Sequence, residues 1–143
     1  LVALTEDFFT EDKLNQPARD VFCEFIALMI GHFLEKLSTF MFLIKEAHRM
    51  AFDKEAENAT YLLRQRERVA SALAIPIQAA IDNRQLRDLD AHTVAHVLMG
   101  NVHGYMMYAC TAKCNSSGTS VSPQDGAALI TTILFDGLLA NRT

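Results

Sequence analysis

The segment from Pro123 to Asn141 constrains the fold more than any other. Its apolar residues Ala127, Ala128, Leu129, Ile130, Ile133, Leu134, Phe135, Leu138 and Leu139 fall on nearly every face of a helix, interrupted by Thr131, Thr132 and Asp136. A helix that is apolar all round must be covered on two sides. In a chain of 143 residues the second cover is most simply a symmetry mate. The alternative is a central helix inside a monomeric bundle. The small residues Ala127 and Gly137 flank Ile130 and Leu134 on one stripe, with Leu138 beside it, which would let two copies approach closely. The expected interface is a four-helix bundle made by the last two helices, Ala91 to Lys113 and Pro123 to Asn141, of two chains.

The rest of the chain is also helical in pattern. It shows no sustained polar–apolar alternation, and its β-branched residues are scattered. About six helices are expected, so the fold class is all-α, in one domain covering residues 1–143. The first is short, near Val2 to Phe9, and residues 1–16 read as the tail of a connecting helix plus a linker. The second starts near Pro17, a residue tolerated in a first turn, and ends near Lys36. The third runs from Thr39 to Ala51. A long fourth helix, Lys54 to Arg84, contains Pro76, which removes a backbone hydrogen bond and predicts a kink or break at Ala72 to Pro76. Asp90 is placed to cap the fifth helix, with Leu89 and Val94 in hydrophobic-staple positions. Cys114 to Ser122 is a linker. Ser122 then caps the last helix, with Pro123 in its first turn and Asp125 favouring the positive end of the helix dipole.

Composition narrows the function classes. Half of the residues are hydrophobic, enough for a real core. The net charge of -4 argues against a nucleic-acid surface, which normally carries a basic excess. Arg64, Arg66 and Arg68 alternate with Gln65 and Glu67 and read as a solvated helix face. Cys23, Cys110 and Cys114 lack a disulfide-framework spacing and read as thiols. Leu1-Val2-Ala3-Leu4 meets Glu6 and Asp7 at once, so no signal peptide is read and a cytoplasmic location is expected. The longest apolar run, Val21 to Leu34, contains Glu24 and His32 and is too short to span a bilayer, so no membrane partner is expected. The chain begins at Leu1 rather than Met, which predicts a missing upstream segment.

The fifth helix carries His92, His96, Met99, His103, Met107, Cys110 and Cys114 on one stripe. Imidazole, thioether and thiol suit borderline and soft metals. His92 and His96 are one turn apart and could chelate an ion, but the helix offers no Glu at matching spacing as a third ligand. The stripe is therefore read as packing, with no metal and no cofactor assigned. His103, beside Met99, Met106 and Met107, reads as a polar fixture in an apolar cavity. Phe22, Phe25, Ile26, Met29 and Phe33 form a second stripe, and Phe with Met suits an adaptable apolar pocket. Signatures of catalysis are missing. The chain has no Gly-rich phosphate loop, no Gly-x-Ser-x-Gly elbow, no His-Glu-x-x-His and no Glu or Asp followed three residues later by His. It is not expected to be an enzyme.

From Ala79 to Tyr108 the residue order is distinctive. An apolar helix end (Ala79, Ala80, Ile81) runs into a polar link. Leu86, Asp88 and Asp90 lead into a helix carrying Ala95, Gly100 and Gly104. This order resembles the effector-binding half of TetR-type bacterial transcription regulators, and Ile130-Thr-Thr-Ile-Leu-Phe-Asp-Gly-Leu138 looks like their last helix. The resemblance covers roughly residues 17 to 141. Asn83-Arg84-Gln85 departs from it, since glycine is common there in the family, and Pro76 is an unusual interruption. The resemblance implies a sensing and dimerising domain whose ligand alters operator binding by a helix-turn-helix head. No such head is present in these residues, so operator DNA is a partner only through it. The expected effector is small, apolar or aromatic, and neutral or weakly polar. Phe25, Met29 and Phe33 form one wall of its site, Met99, His103 and Met106 the facing wall, and Tyr61 stands at the side. Tyr61 or Tyr105 could supply a hydrogen bond. Two other readings stand beside this one: a homodimeric helical interaction scaffold, and a metal or haem sensor using His92, His96 and His103.

Overall fold

The computed structural model describes residues 1–52, 57–114 and 122–138, with side chains for 1–49, 61–111 and 122–138. The described residues form α1 (Val2–Phe8), α2 (Glu11–Leu14), α3 (Ala18–Glu35), α4 (Leu37–Phe52), α5 (Glu57–Asp82), α6 (Ala91–Cys114) and α7 (Pro123–Thr131), then a π turn, Thr132–Asp136. They contain no strand, so the all-α class holds. Residues 1–16 hold α1 and a second short helix, α2. Thr10 accepts a hydrogen bond from the Lys13 N–H and starts α2.

Helix α3 is the centre of the bundle. Phe25, Ile26, Met29 and Ile30 are fully buried on it, against Leu73 and Ile77 of α5, Val102 and Met106 of α6, and Ala127 and Ile130 of α7. Phe9 closes one end, with its ring 4.7 Å from that of Phe25 and 5.3 Å from that of Phe22. At its other end α3 turns into α4 through a bend of 94°. Among the described residues no single helix is long and apolar enough to cross a membrane.

Of the kink or break expected at Ala72 to Pro76, the break does not occur: α5 is continuous from Glu57 to Asp82. Proline inside a helix costs about 3 kcal/mol. Burying Leu73 and Ile77 on either side contributes about 1.5–3 kcal/mol each, which offsets that cost. The chain leaves α5 through Arg84, whose φ of 58° is left-handed. Its N–H bonds the Ile81 carbonyl at 2.9 Å, and the Gln85 N–H bonds that of Ala80 at 2.9 Å. Gln85 Oε1 then accepts the Ala18 N–H at the start of α3 (2.5 Å), so this turn also caps the central helix.

Both expected caps are present. Asp90 accepts the Thr93 N–H at 2.8 Å, and hydrogen bonds from Thr93 hold its carboxyl below the ordinary carboxylate range. Ser122 accepts the Asp125 N–H at 3.3 Å. The last helix, however, is shorter than the apolar run suggests. It gives way to the π turn, which ends at Gly137 with φ 82°, a conformation that only glycine adopts cheaply. Residues 139–141, expected to continue it, lie outside the described residues.

The interface stripe needs a corresponding correction. Ala127 and Ile130 are buried inside the subunit, against α3, and cannot form an outer surface. Gly126 explains the close approach. A Cβ there would lie 2.9 Å from Ile30 Cδ1 and closer still to the Tyr105 ring. Leu134 is half-buried against the same core, whereas Gly137 and Leu138 are exposed. Gly137 serves the backbone turn rather than helix–helix contact. Arg19 locks the turn to α3 through two hydrogen bonds to Asp136, of 2.9 and 2.6 Å.

Candidate effector pocket

A cavity of about 400 Å³ lies between α4 and the α3–α5–α6 core. Met29 and Phe33 line it from α3, Val69 from α5, and Met99 and His103 from α6. Phe40, Leu43 and Ile44 of α4 form the outer wall. The stacked rings of Phe33 and Phe40, 4.4 Å apart, bridge the inner and outer walls. The lining is mostly apolar, with Gln65, Arg66 and His103 as its polar groups. That balance suits an apolar molecule oriented by a few polar contacts.

His103 is a half-buried polar group of the lining. Its ring centroid lies 6.1 Å from that of Phe40 and 6.3 Å from that of His48. Burial lowers its pKa from the ordinary 6.5, and the neighbouring His48 and Arg66 push it further in the same direction. The imidazole is therefore neutral near pH 7 and offers one donor and one acceptor.

Four of the seven expected pocket residues meet here: Met29, Phe33, Met99 and His103. The other three do not. Phe25 and Met106 have no exposed surface and belong to the close-packed core. Tyr61 is 63% exposed and is not on the lining, which takes Leu62 and Leu63 instead. The α4 wall was not foreseen, although Phe40, Ile44 and Ala47 carry the i, i+4, i+7 spacing of a buried face. Arg66 is exposed as a solvated face requires, yet it also stands on the pocket lining.

The other two histidines of the stripe lie outside the pocket. His92 and His96 face Glu67 of α5, a carboxylate 25 positions before His92 in sequence. A second, larger groove of about 840 Å³ lies between the α5–α6 turn and the π turn. Phe22, Ile81, Leu86, Val94, Leu134 and Gly137 are among its walls. No known family model matches the chain, and neither a curated protein nor a solved structure does.

Proposed function

We propose that this chain is a ligand-sensing and dimerising domain of a TetR-like bacterial transcription regulator, acting in the cytoplasm. The observation that carries the reading is the apolar pocket that brings Met29, Phe33, Met99 and neutral His103 together beside α4. The effector is small and apolar or aromatic, with one hydrogen-bonding group directed at His103. Arg66 at the lining favours a ligand with a weakly acidic end over a basic one. Ligand binding would move α4 and α5 relative to the core and, through a preceding helix-turn-helix head, alter operator binding. The helix order and the Ala79–Tyr108 motif support the regulator part of this proposal. The chain's charge of -4 supports leaving DNA contact to that head.

Dimerisation is part of the same proposal. Val97 and Tyr108 on α6 are 50% and 68% exposed. Gly100 and Gly104, between them, have open space where a Cβ would point. This is a face that a second copy of α6 could approach closely. The same face favours the second reading, a homodimeric scaffold with no effector. Thermal unfolding of the chain with a panel of small aromatic and fatty compounds separates the two. A binder present at 100 times its Kd should add about 2.7 kcal/mol of stability. A scaffold shows no shift with any compound.

A further inference from the structure

His92 and His96 sit one turn apart on α6, and what they lack as a chelate is a third ligand. The fold supplies it from the neighbouring helix. Glu67 Oε1 is hydrogen-bonded to His92 Nε2, and Glu67 Oε2 lies 3.4 Å from His96 Nε2. The three ligand atoms all lie within 4.8 Å of one another, and the imidazole centroids are 4.8 Å apart. We propose that Glu67, His92 and His96 bind one divalent transition-metal ion of the zinc type and thereby clamp α5 to α6.

The chemistry fits that class of ion. Zinc takes imidazole nitrogen and carboxylate oxygen at about 2.0–2.2 Å in a tetrahedron, which puts neighbouring ligand atoms about 3.3–3.5 Å apart. The His96–Glu67 separation already has that value, at 3.4 Å. The remaining adjustment is a rotation of side chains that have room to move, since Glu67, His92 and His96 are 54%, 42% and 32% exposed. Two imidazoles disfavour calcium and magnesium, which prefer all-oxygen sites. Three protein ligands leave the fourth position to water, so the ion should exchange readily. An ordinary ion pair would need one imidazole at the carboxylate, whereas two converge on it. The site lies on the flank of the pocket, since Glu67 follows Arg66 and His96 precedes Met99 by one turn. Its occupancy does not depend on whether the pocket takes an effector.

The test is a titration of the full chain with Zn²⁺ by calorimetry and with Co²⁺ by visible absorption. It is repeated on a variant with Cys23, Cys110 and Cys114 replaced by serine. One ion per chain is expected in both proteins. His92→Ala and His96→Ala should each weaken binding by more than about tenfold, and Glu67→Gln by about tenfold, with helicity unchanged by circular dichroism. All three positions are partly exposed, so the variants should fold. The proposal is overturned by an absence of stoichiometric binding. Binding that survives both histidine variants, or that vanishes in the serine variant, overturns it equally.

Discussion

His103 shows how one residue's surroundings set a measurable property. Burial, His48 and Arg66 all oppose its positive charge, so it titrates below the ordinary 6.5 in the folded chain. The sign follows from linkage. Below about pH 6.5 the unfolded chain takes up a proton that the folded chain refuses, so stability is full above that pH and falls as pH drops toward the folded value. Urea midpoints should therefore decline from about pH 6.5 toward pH 5, and His103→Gln should flatten part of the slope. His32, whose pKa is lowered by burial and then by Lys36, should retain the rest. An unchanged slope in His103→Gln would show that the imidazole is not held neutral. This neighbourhood is only partly legible in the sequence, for a geometric reason. Residues four apart advance about 40° around a helix, so Phe25 and Phe33 point about 80° apart although both lie on one stripe. Phe25 therefore enters the core while Phe33 reaches the pocket. Met106 shares a direction with Met99 but sits about 10 Å further along the axis, beyond the cavity.

At the scale of elements, the starts of the last two helices are legible in the sequence and the end of the last is not. Asp90 and Ser122 announce α6 and α7 because a cap is a local contact between a side chain and N–H groups three residues on. Ends depend on what the helix packs against. Ile133 to Leu139 continue the apolar pattern, yet Gly137 and the Arg19–Asp136 link turn the chain out of the helix. Likewise α5 passes Pro76 because its flanks are buried. The end of α5 offers a direct check. Arg84 holds a left-handed φ of 58°, which costs a non-glycine residue about 1–2 kcal/mol. Glycine removes that cost but adds unfolded-state freedom. Arg84→Gly should therefore raise stability by up to about 1 kcal/mol in chemical denaturation. A loss of stability would mean that the Arg84 side chain contributes more than its backbone strain costs. The His92–His96 pair is legible in the sequence but its third member, Glu67, is not, because it comes from another helix and meets the pair only through α5–α6 packing.

At the scale of the whole molecule, the proposal assigns two surfaces to partners. One is the outer face of α6, the other the pocket beneath α4. The proposed two-fold dimer predicts a mass near twice that of the chain by light scattering at micromolar concentration. Leu134→Glu would be a poor probe, because Leu134 also packs against the subunit's own core. Val97→Glu is cleaner. It lies on the exposed face, so it should split the dimer while leaving the monomer folded. A monomeric parent chain would remove the dimer from the account.

The pocket is the central claim, and filling it tests it most directly. Met99 lines the cavity of about 400 Å³ and is half-buried. The decisive measurement is calorimetric titration of a compound that stabilises the parent chain against Met99→Trp, with Val94→Trp in the larger groove as the comparison. The pocket account predicts that Met99→Trp folds with little loss of stability, because the added ring enters open space, and that it loses affinity by at least about tenfold, or about 1.4 kcal/mol. Val94→Trp should bind as the parent does. Unchanged binding in Met99→Trp, with the loss appearing in Val94→Trp, would place the ligand in the other groove and contradict the account.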